Sequence, residues 1–174
     1  MSDIDKDDDL FIVDDDDDNS QENKYLLFHI DKEIYGIGIM HVTDIIELQK
    51  ITTVPDMPDY IKGVINLRGK VIPVMDLRLR FKMDFRDYDD RTCIIIINVD
   101  NMSIGLIVDT VSEVRDILDN DIDPPPQFKS EHSAERYISG LGKIEGEVKI
   151  LLDVHKILMG EDRVRIEAME EVNA

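Results

Sequence analysis

A chain of 174 residues is long enough for one ordinary domain or two small lobes sharing a core. It holds 39 Asp and Glu against 20 Lys and Arg, and the resulting charge of −19 excludes nucleic acid and an anionic membrane face as partners by long-range repulsion. One cysteine rules out an internal disulfide, and neither a basic-then-apolar leader nor an apolar run near the ~20 residues of a membrane helix is present, so a cytoplasmic protein that works on other proteins is expected.

Residues 1–24 contain ten Asp and one Glu against two Lys, −9 of the total. Such a segment buries too little apolar surface to offset the entropy of ordering it, and residues 1–23 are expected to be a disordered acidic tail. Its one apolar patch, LFIV at residues 10–13, reads as a solvated accident within a charge run and receives no function.

Beyond the tail the pattern turns short and strand-like. In chain order come KYLLFHI, EIYGIGI, HVTDIIEL, YIKGVINLR, KVIPVMDL, RTCIIIIN, SIGLIVD, SEVRDIL, YISGLGKIE and EVKILLDV, rich in Ile, Val, Leu and Tyr and divided mostly by Gly, Asp, Asn or Pro. That is the mark of an all-β domain with tight turns. Two short helices are predicted, opened by capping aspartates at Asp76 and Asp153. Cys93, inside TCIIIIN, is expected buried and reduced. Residues 116–136 break the β pattern, and Pro124, Pro125 and Pro126 favour an extended loop.

The chain repeats itself. YIKGVINLRGKVIPVMDLRLRF from Tyr60 and YISGLGKIEGEVKILLDVHKIL from Tyr137, 77 residues apart, share Tyr, Ile, Gly, Gly, Val and Asp in register. Upstream, Gly36 pairs with Gly105, Val42 with Val111, Thr43 with Ser112, Asp44 with Glu113 and Ile45 with Val114. A chance match of apolar strands is the alternative, but turn glycines and capping aspartates coincide. A lobe of some 65 residues buries only roughly 60% of its surface alone, so two lobes should pack together, each curled into a five-stranded barrel that hides its edges. The expected division is lobe 1 over 24–82, lobe 2 over 91–160 and a charged tail over 161–174. A groove between the barrels would suit protein docking.

Reactive constellations are not evident. His29, His41, His132 and His155 have no zinc or nucleophile spacing, and only His41 has a nearby carboxylate, Asp44. Asp119, Asp121 and Asp123 alternate like a calcium loop but run into Pro124 where glycine is needed. Gly140, Gly142 and Gly146 do not form a phosphate loop, because Lys143 lacks a following Ser or Thr. No catalytic residue, metal or cofactor is expected. The rival to a scaffold is a ligand-binding or hydrolytic barrel mouth built from His41, Asp44 and Arg68.

Arg68 stands before the Gly69 turn. Alternation puts Ile65 and Leu67 on one face and Val64, Asn66 and Arg68 on the outer one. Its counterpart in the second copy is Glu145, so folding as such does not demand arginine. A solvated arginine is the plain interpretation; a guanidinium fixed by a tight turn for docking to carboxylates or main-chain oxygens is the functional one.

YGIGIMHVTDII, YIKGVINLRGKVIPVMDLRLRF and YISGLGKIEGEVKILLDVHKIL, in this order, resemble the bacterial chemotaxis coupling family CheW, over residues 24–159. The resemblance implies two SH3-like five-stranded barrels side by side within a domain of residues 24–160. It implies a non-catalytic adaptor joining the cytoplasmic tip of methyl-accepting chemoreceptors to the histidine kinase CheA, whose regulatory domain shares the fold. A detached regulatory domain of that kinase is a further alternative. Arg68 matches the arginine of the family's NLRG motif, linked to receptor coupling, and Asp44 an acidic position beside it, so an Arg68–Asp44 pair is expected. Val42, Gly63 and Val71 fall at positions linked to partner binding, although strand packing, or a turn or bulge at Gly63, explains them equally. The long acidic leader departs from the family pattern, and no room is left after Met159 for the receiver domain that CheV-type relatives append.

Overall fold

The computed structural model describes residues 21–125 and 134–158. The acidic leader to Ser20 with residues 10–13, Pro126, His132 and the charged end 161–174 lie outside the described residues. Gln21–Asn23, assigned to the tail from sequence, form a 3-10 turn leading into the first strand.

Each of the ten β-like runs is a strand: β1 (Lys24–Ile30), β2 (Glu33–Gly38), β3 (Val42–Glu47), β4 (Ile61–Leu67), β5 (Lys70–Asp76), β6 (Cys93–Val99), β7 (Met102–Val108), β8 (Thr110–Asp116), β10 (Ile138–Ile144) and β11 (Glu147–Leu152). An eleventh, β9 (Ile122–Asp123), pairs with Leu141 and Gly142 inside the segment expected to be loop. Helices α1 (Leu77–Arg80) and α2 (Val154–Ile157) are capped as predicted. The Asp76 carboxylate accepts from the Leu79 amide, and that of Asp153 from the amides of His155 and Lys156.

The chain is all-β, and its strands form two sheets, ordered β8-β1-β2-β11-β10-β9 and β3-β6-β7-β5-β4. The expected pair of five-stranded barrels is thus a six- and a five-stranded sheet, and within each the first and last strands share no ladder among the described residues. The sheets also do not divide at the expected 24–82 and 91–160 boundary. The five-stranded sheet takes the last three strands of the first copy and the first two of the second, and the six-stranded sheet the first two of the first copy and the last four of the second, joined through parallel contacts of Gly36 with Leu151 and of Gly105 with Val74. The covalent chain therefore crosses between sheets twice, and neither marginal half closes its sheet without the other. Equivalent strands of a duplication offer near-equivalent edges, so hydrophobic alternation fixes the buried face but not the neighbour.

The repeat itself is visible in backbone detail. Bulges interrupt the ladders between Ile61 and Gly63 and between Ile138 and Gly140. The Asp76 amide donates to the Tyr60 carbonyl and that of Asp153 to the Tyr137 carbonyl, each at 2.7 Å. The run Ile94 to Ile97 is apolar throughout because β6 is covered on both faces. Ile95 and Ile97 join a main core drawn from both sheets and both helices, while Ile94 and Ile96 join a second cluster with Ile65, Ile72, Val74 and Ile107. Cys93, at the start of that strand, is only half-buried rather than buried, because it lies where the ladder begins to open.

Two arginines tie the sheets together. Arg80 lies between the faces of Tyr60 and Tyr137, 4.8 and 4.6 Å from their ring centres, and its guanidinium donates to the Ile157 carbonyl. Arg78, 11% exposed, donates two bonds to the Asp109 carboxylate at 3.0 and 2.6 Å, and that carboxylate also accepts from the Asp31 amide. Burial alone pushes the Asp109 carboxyl up. The Arg78 bonds, the Asp31 amide and the charges of Arg78 and Arg86 outweigh it and hold Asp109 below the usual carboxylate range.

Candidate functional site

The β4–β5 hairpin places Arg68 differently from simple alternation. Strand β4 ends at Leu67, paired with Lys70, and the two residues between them both adopt left-handed backbone, Arg68 at φ 53° and Gly69 at φ 85°. This is a two-residue hairpin turn with both central φ positive, a conformation glycine adopts without cost at its second place. The Asn66 side-chain oxygen accepts from the Gly69 amide at 2.9 Å and pins the turn. The direction of Arg68 is set by that turn rather than by the pleat.

Across from it, β3 bulges between Val42 and Asp44, with Thr43 donating its hydroxyl to the Ile96 carbonyl at 3.2 Å. Arg68 Nη1 then meets Asp44 Oδ2 at 3.1 Å, with Arg68 77% exposed and Asp44 27% exposed. The expected ion pair forms. It bridges the turn that follows β4 to strand β3, the two ends of the five-stranded order. The six-stranded sheet carries the corresponding pair with exchanged polarity. Arg115 on β8 contacts Glu113 and Glu145, each at 3.3 Å, and those glutamates occupy the places of Asp44 and Arg68. Both seams thus carry an ion pair, and the architecture leaves the sign at the turn free.

The Arg68 turn overlooks an open groove of about 440 Å³. Its lining includes the half-buried Leu67 and the buried Ile72 and Ile96, together with Arg68, Lys70 and Asp44. The Lys70 ammonium donates to the Ser103 hydroxyl at 3.0 Å. Lys70 was legible from the hairpin, since it faces Leu67 across the turn. Ile96, Asn98 and Ser103 come from β6 and β7 in the other half of the chain, and only the strand exchange brings them here.

The remaining candidates lie off the groove. Val42 is half-buried and packs on the main core, and Val71 is half-buried opposite Asn66. Gly63 is buried at φ 144°, at the bulge, where a Cβ would come within 2.0 Å of the Thr52 carbonyl oxygen. That close approach allows the paired bonds between Thr52 and Val64, at 2.8 and 2.9 Å.

His41, invoked for a catalytic barrel mouth, is not part of the groove lining. Its ring meets His155 edge to face at 5.6 Å. Burial first, and then the neighbouring His155, lower its pKa, opposed by Asp153. Among the described residues no three His, Cys, Asp or Glu side chains are grouped to hold a metal ion, and no helix is long and apolar enough to cross a membrane.

Comparison with known proteins completes the description. A family model described as CheW-like domain matches residues 24–162. The chain is 35% identical over 144 residues to the chemotaxis protein CheW of Klebsiella aerogenes, covering 83% of this chain and 86% of that one. It is 33% identical over 135 residues to the chemotaxis protein CheW of Bacillus subtilis, covering 78% and 86%. The crystal structure of the scaffolding protein TtCheW from Thermoanaerobacter tengcongensis is similar with a TM-score of 0.74 at 34% identity, over 81% of this chain and 95% of that one.

Proposed function

Because the chain belongs to the CheW-like domain family, we propose that this non-catalytic chemotaxis scaffold couples the cytoplasmic tip of chemoreceptors to the regulatory domain of the histidine kinase CheA, in the cytoplasm. The observation that carries the proposal is the pinned turn. Arg68 is exposed, yet its backbone is fixed by Gly69 and Asn66 and its head contacts Asp44, so the guanidinium donors that Asp44 does not take are presented at a set place beside the open groove. Little side-chain freedom is left to lose on docking, which favours a rigid partner such as a helical bundle offering carboxylates or free carbonyls. Val42, Gly63 and Val71 support this surface indirectly in the proposed arrangement, through the packing of β3, β4 and β5.

Mixing receptor tip, CheA and this protein is expected to give a ternary assembly with raised kinase activity. Arg68→Glu should weaken receptor coupling by about tenfold to a hundredfold, since a central arginine is lost and a repulsive charge gained. The fold should barely respond, because an exposed pair of this kind contributes roughly 0–1 kcal/mol. Coupling by Arg68→Glu equal to wild type, measured alongside an unchanged unfolding transition, would remove the turn from the interface.

A further inference from the structure

We propose that His41 and His155 form an acid-sensitive latch between the two sheets, closed while both rings are neutral and opened when both are protonated. His41 ends the 3-10 turn Ile39–His41, which carries the chain from β2 of the six-stranded sheet into β3 of the five-stranded one. His155 is the second residue of α2, which follows β11 of the six-stranded sheet. The two rings meet edge to face with their centres 5.6 Å apart. Their contact thus lies at the first of the chain's two crossings between sheets.

The two rings have different surroundings. His155 lies between two carboxylates, with Nδ1 3.6 Å from Asp153 Oδ1 and Nε2 3.9 Å from Asp100 Oδ1. A charge on this ring is met by the cap of its own helix and by the turn between β6 and β7. His41 is half-buried, and among the described residues no carboxylate forms an ion pair with it. A charge there is opposed by burial first and then by His155, with Asp153 acting the other way, and the His41 pKa is lowered. The elements packed on the turn carry Glu22 in Gln21–Asn23, Lys24 and Tyr25 at the start of β1 with His29 near its other end, and Cys93 at the far end of β6; α2 adds Lys156. Of all these groups, His155 and Asp153 are the ones whose charge acts on His41.

The direction in pH follows from that arrangement. Above the unfolded pKa of 6.5 the His41 ring is neutral whether the latch is open or closed. As pH falls from there through the lower folded value, the opened ring takes up its proton first, and the closed form loses ground. This window is separate from that of Asp109, whose carboxyl is held below the usual carboxylate range.

Amide hydrogen exchange of the full chain tests the latch at about pH 8 and about pH 5, the span over which histidine changes its charge, with rates referred to those of an unstructured peptide at the same pH. The Val42 amide donates to the Ile39 carbonyl and that of Leu158 to the His155 carbonyl, so both bonds report on the latch. Their protection should fall by about threefold to tenfold at the lower pH, the factor that two unit charges 5.6 Å apart produce in near-aqueous surroundings. In His41→Gln and in His155→Gln the fall should vanish, because either variant leaves one ring to charge. Protection that holds at the lower pH in wild type, or a fall that persists in either variant, overturns the proposal.

Its consequence for signalling rests on the coupling surface proposed above, since His41 stands three residues before Asp44, the partner of Arg68. Acid should then weaken receptor-tip binding more in wild type than in His41→Gln. The two readings fail separately. If the tip binds elsewhere, Arg68→Glu leaves coupling intact while acid still lowers protection in wild type; if the rings form no latch, protection is the same in wild type and both variants while Arg68→Glu still uncouples.

Discussion

Asp109→Ala is expected to lower the unfolding free energy by about 2–4 kcal/mol, seen as a fall in melting temperature of roughly 6–12 °C. The substitution leaves the Arg78 guanidinium, 11% exposed, with Asp31 as its remaining carboxylate at 3.5 Å, and it removes the acceptor of the Asp31 amide. The site matters because Asp109 joins β7 of one sheet to β8 of the other, its own amide bonded to the His29 carbonyl on β1. Breaking the clamp loosens a crossing point between sheets rather than a surface contact.

The same residue predicts a pH dependence. Its carboxyl is held below the ordinary value in the folded chain, so its stabilising contribution is fully present above the unfolded pKa of about 3.9 and is lost as pH falls through the lower folded value. Urea unfolding followed below pH 5 should show a steeper acid limb for wild type than for Asp109→Asn, which has no proton to take up there. Coincident acid limbs for the two proteins would mean that Asp109 is not held low.

Gly63→Ala is the second large expectation, a loss of about 3 kcal/mol or more measured by denaturant unfolding. A φ of 144° strains any side chain, at roughly 1–3 kcal/mol, and the added Cβ would collide with the Thr52 carbonyl oxygen. Relief requires moving residues 51–52 away, which breaks the two bonds between Thr52 and Val64 at about 1 kcal/mol each. Since Gly63 is buried, a loss of receptor coupling in this variant should track the loss of folded protein. A stable Gly63→Ala that still fails to couple would instead place the glycine at the interface.

Much of this molecule is written in local pattern. Strand positions follow from period-two alternation and turn residues, the helix starts from Asp76 and Asp153, and the repeat from glycines and aspartates recurring 77 residues apart. The Arg68–Asp44 pair was expected from family resemblance, and the bulge at β3 together with the hairpin turn brings it about. Two local readings needed the backbone itself. Arg68 belongs to the turn and not to the strand, because Arg68 and Gly69 both take positive φ, and β9 is too short to show alternation.

By itself, then, the sequence determined the all-β class, the duplication, the existence of a tight turn at Gly69 and the acidic excess that turns the chain toward protein partners. Tertiary structure alone decided which strands are neighbours, that each sheet borrows from both copies, that Ile96 and Ser103 complete the groove, and that Asp109 meets Arg78. The reason is physical. Alternation and turn chemistry act over a few residues and fix which way a side chain faces, whereas the choice between two equivalent strand edges, and the meeting of charges 31 residues apart, depend on how the whole chain crosses between its sheets.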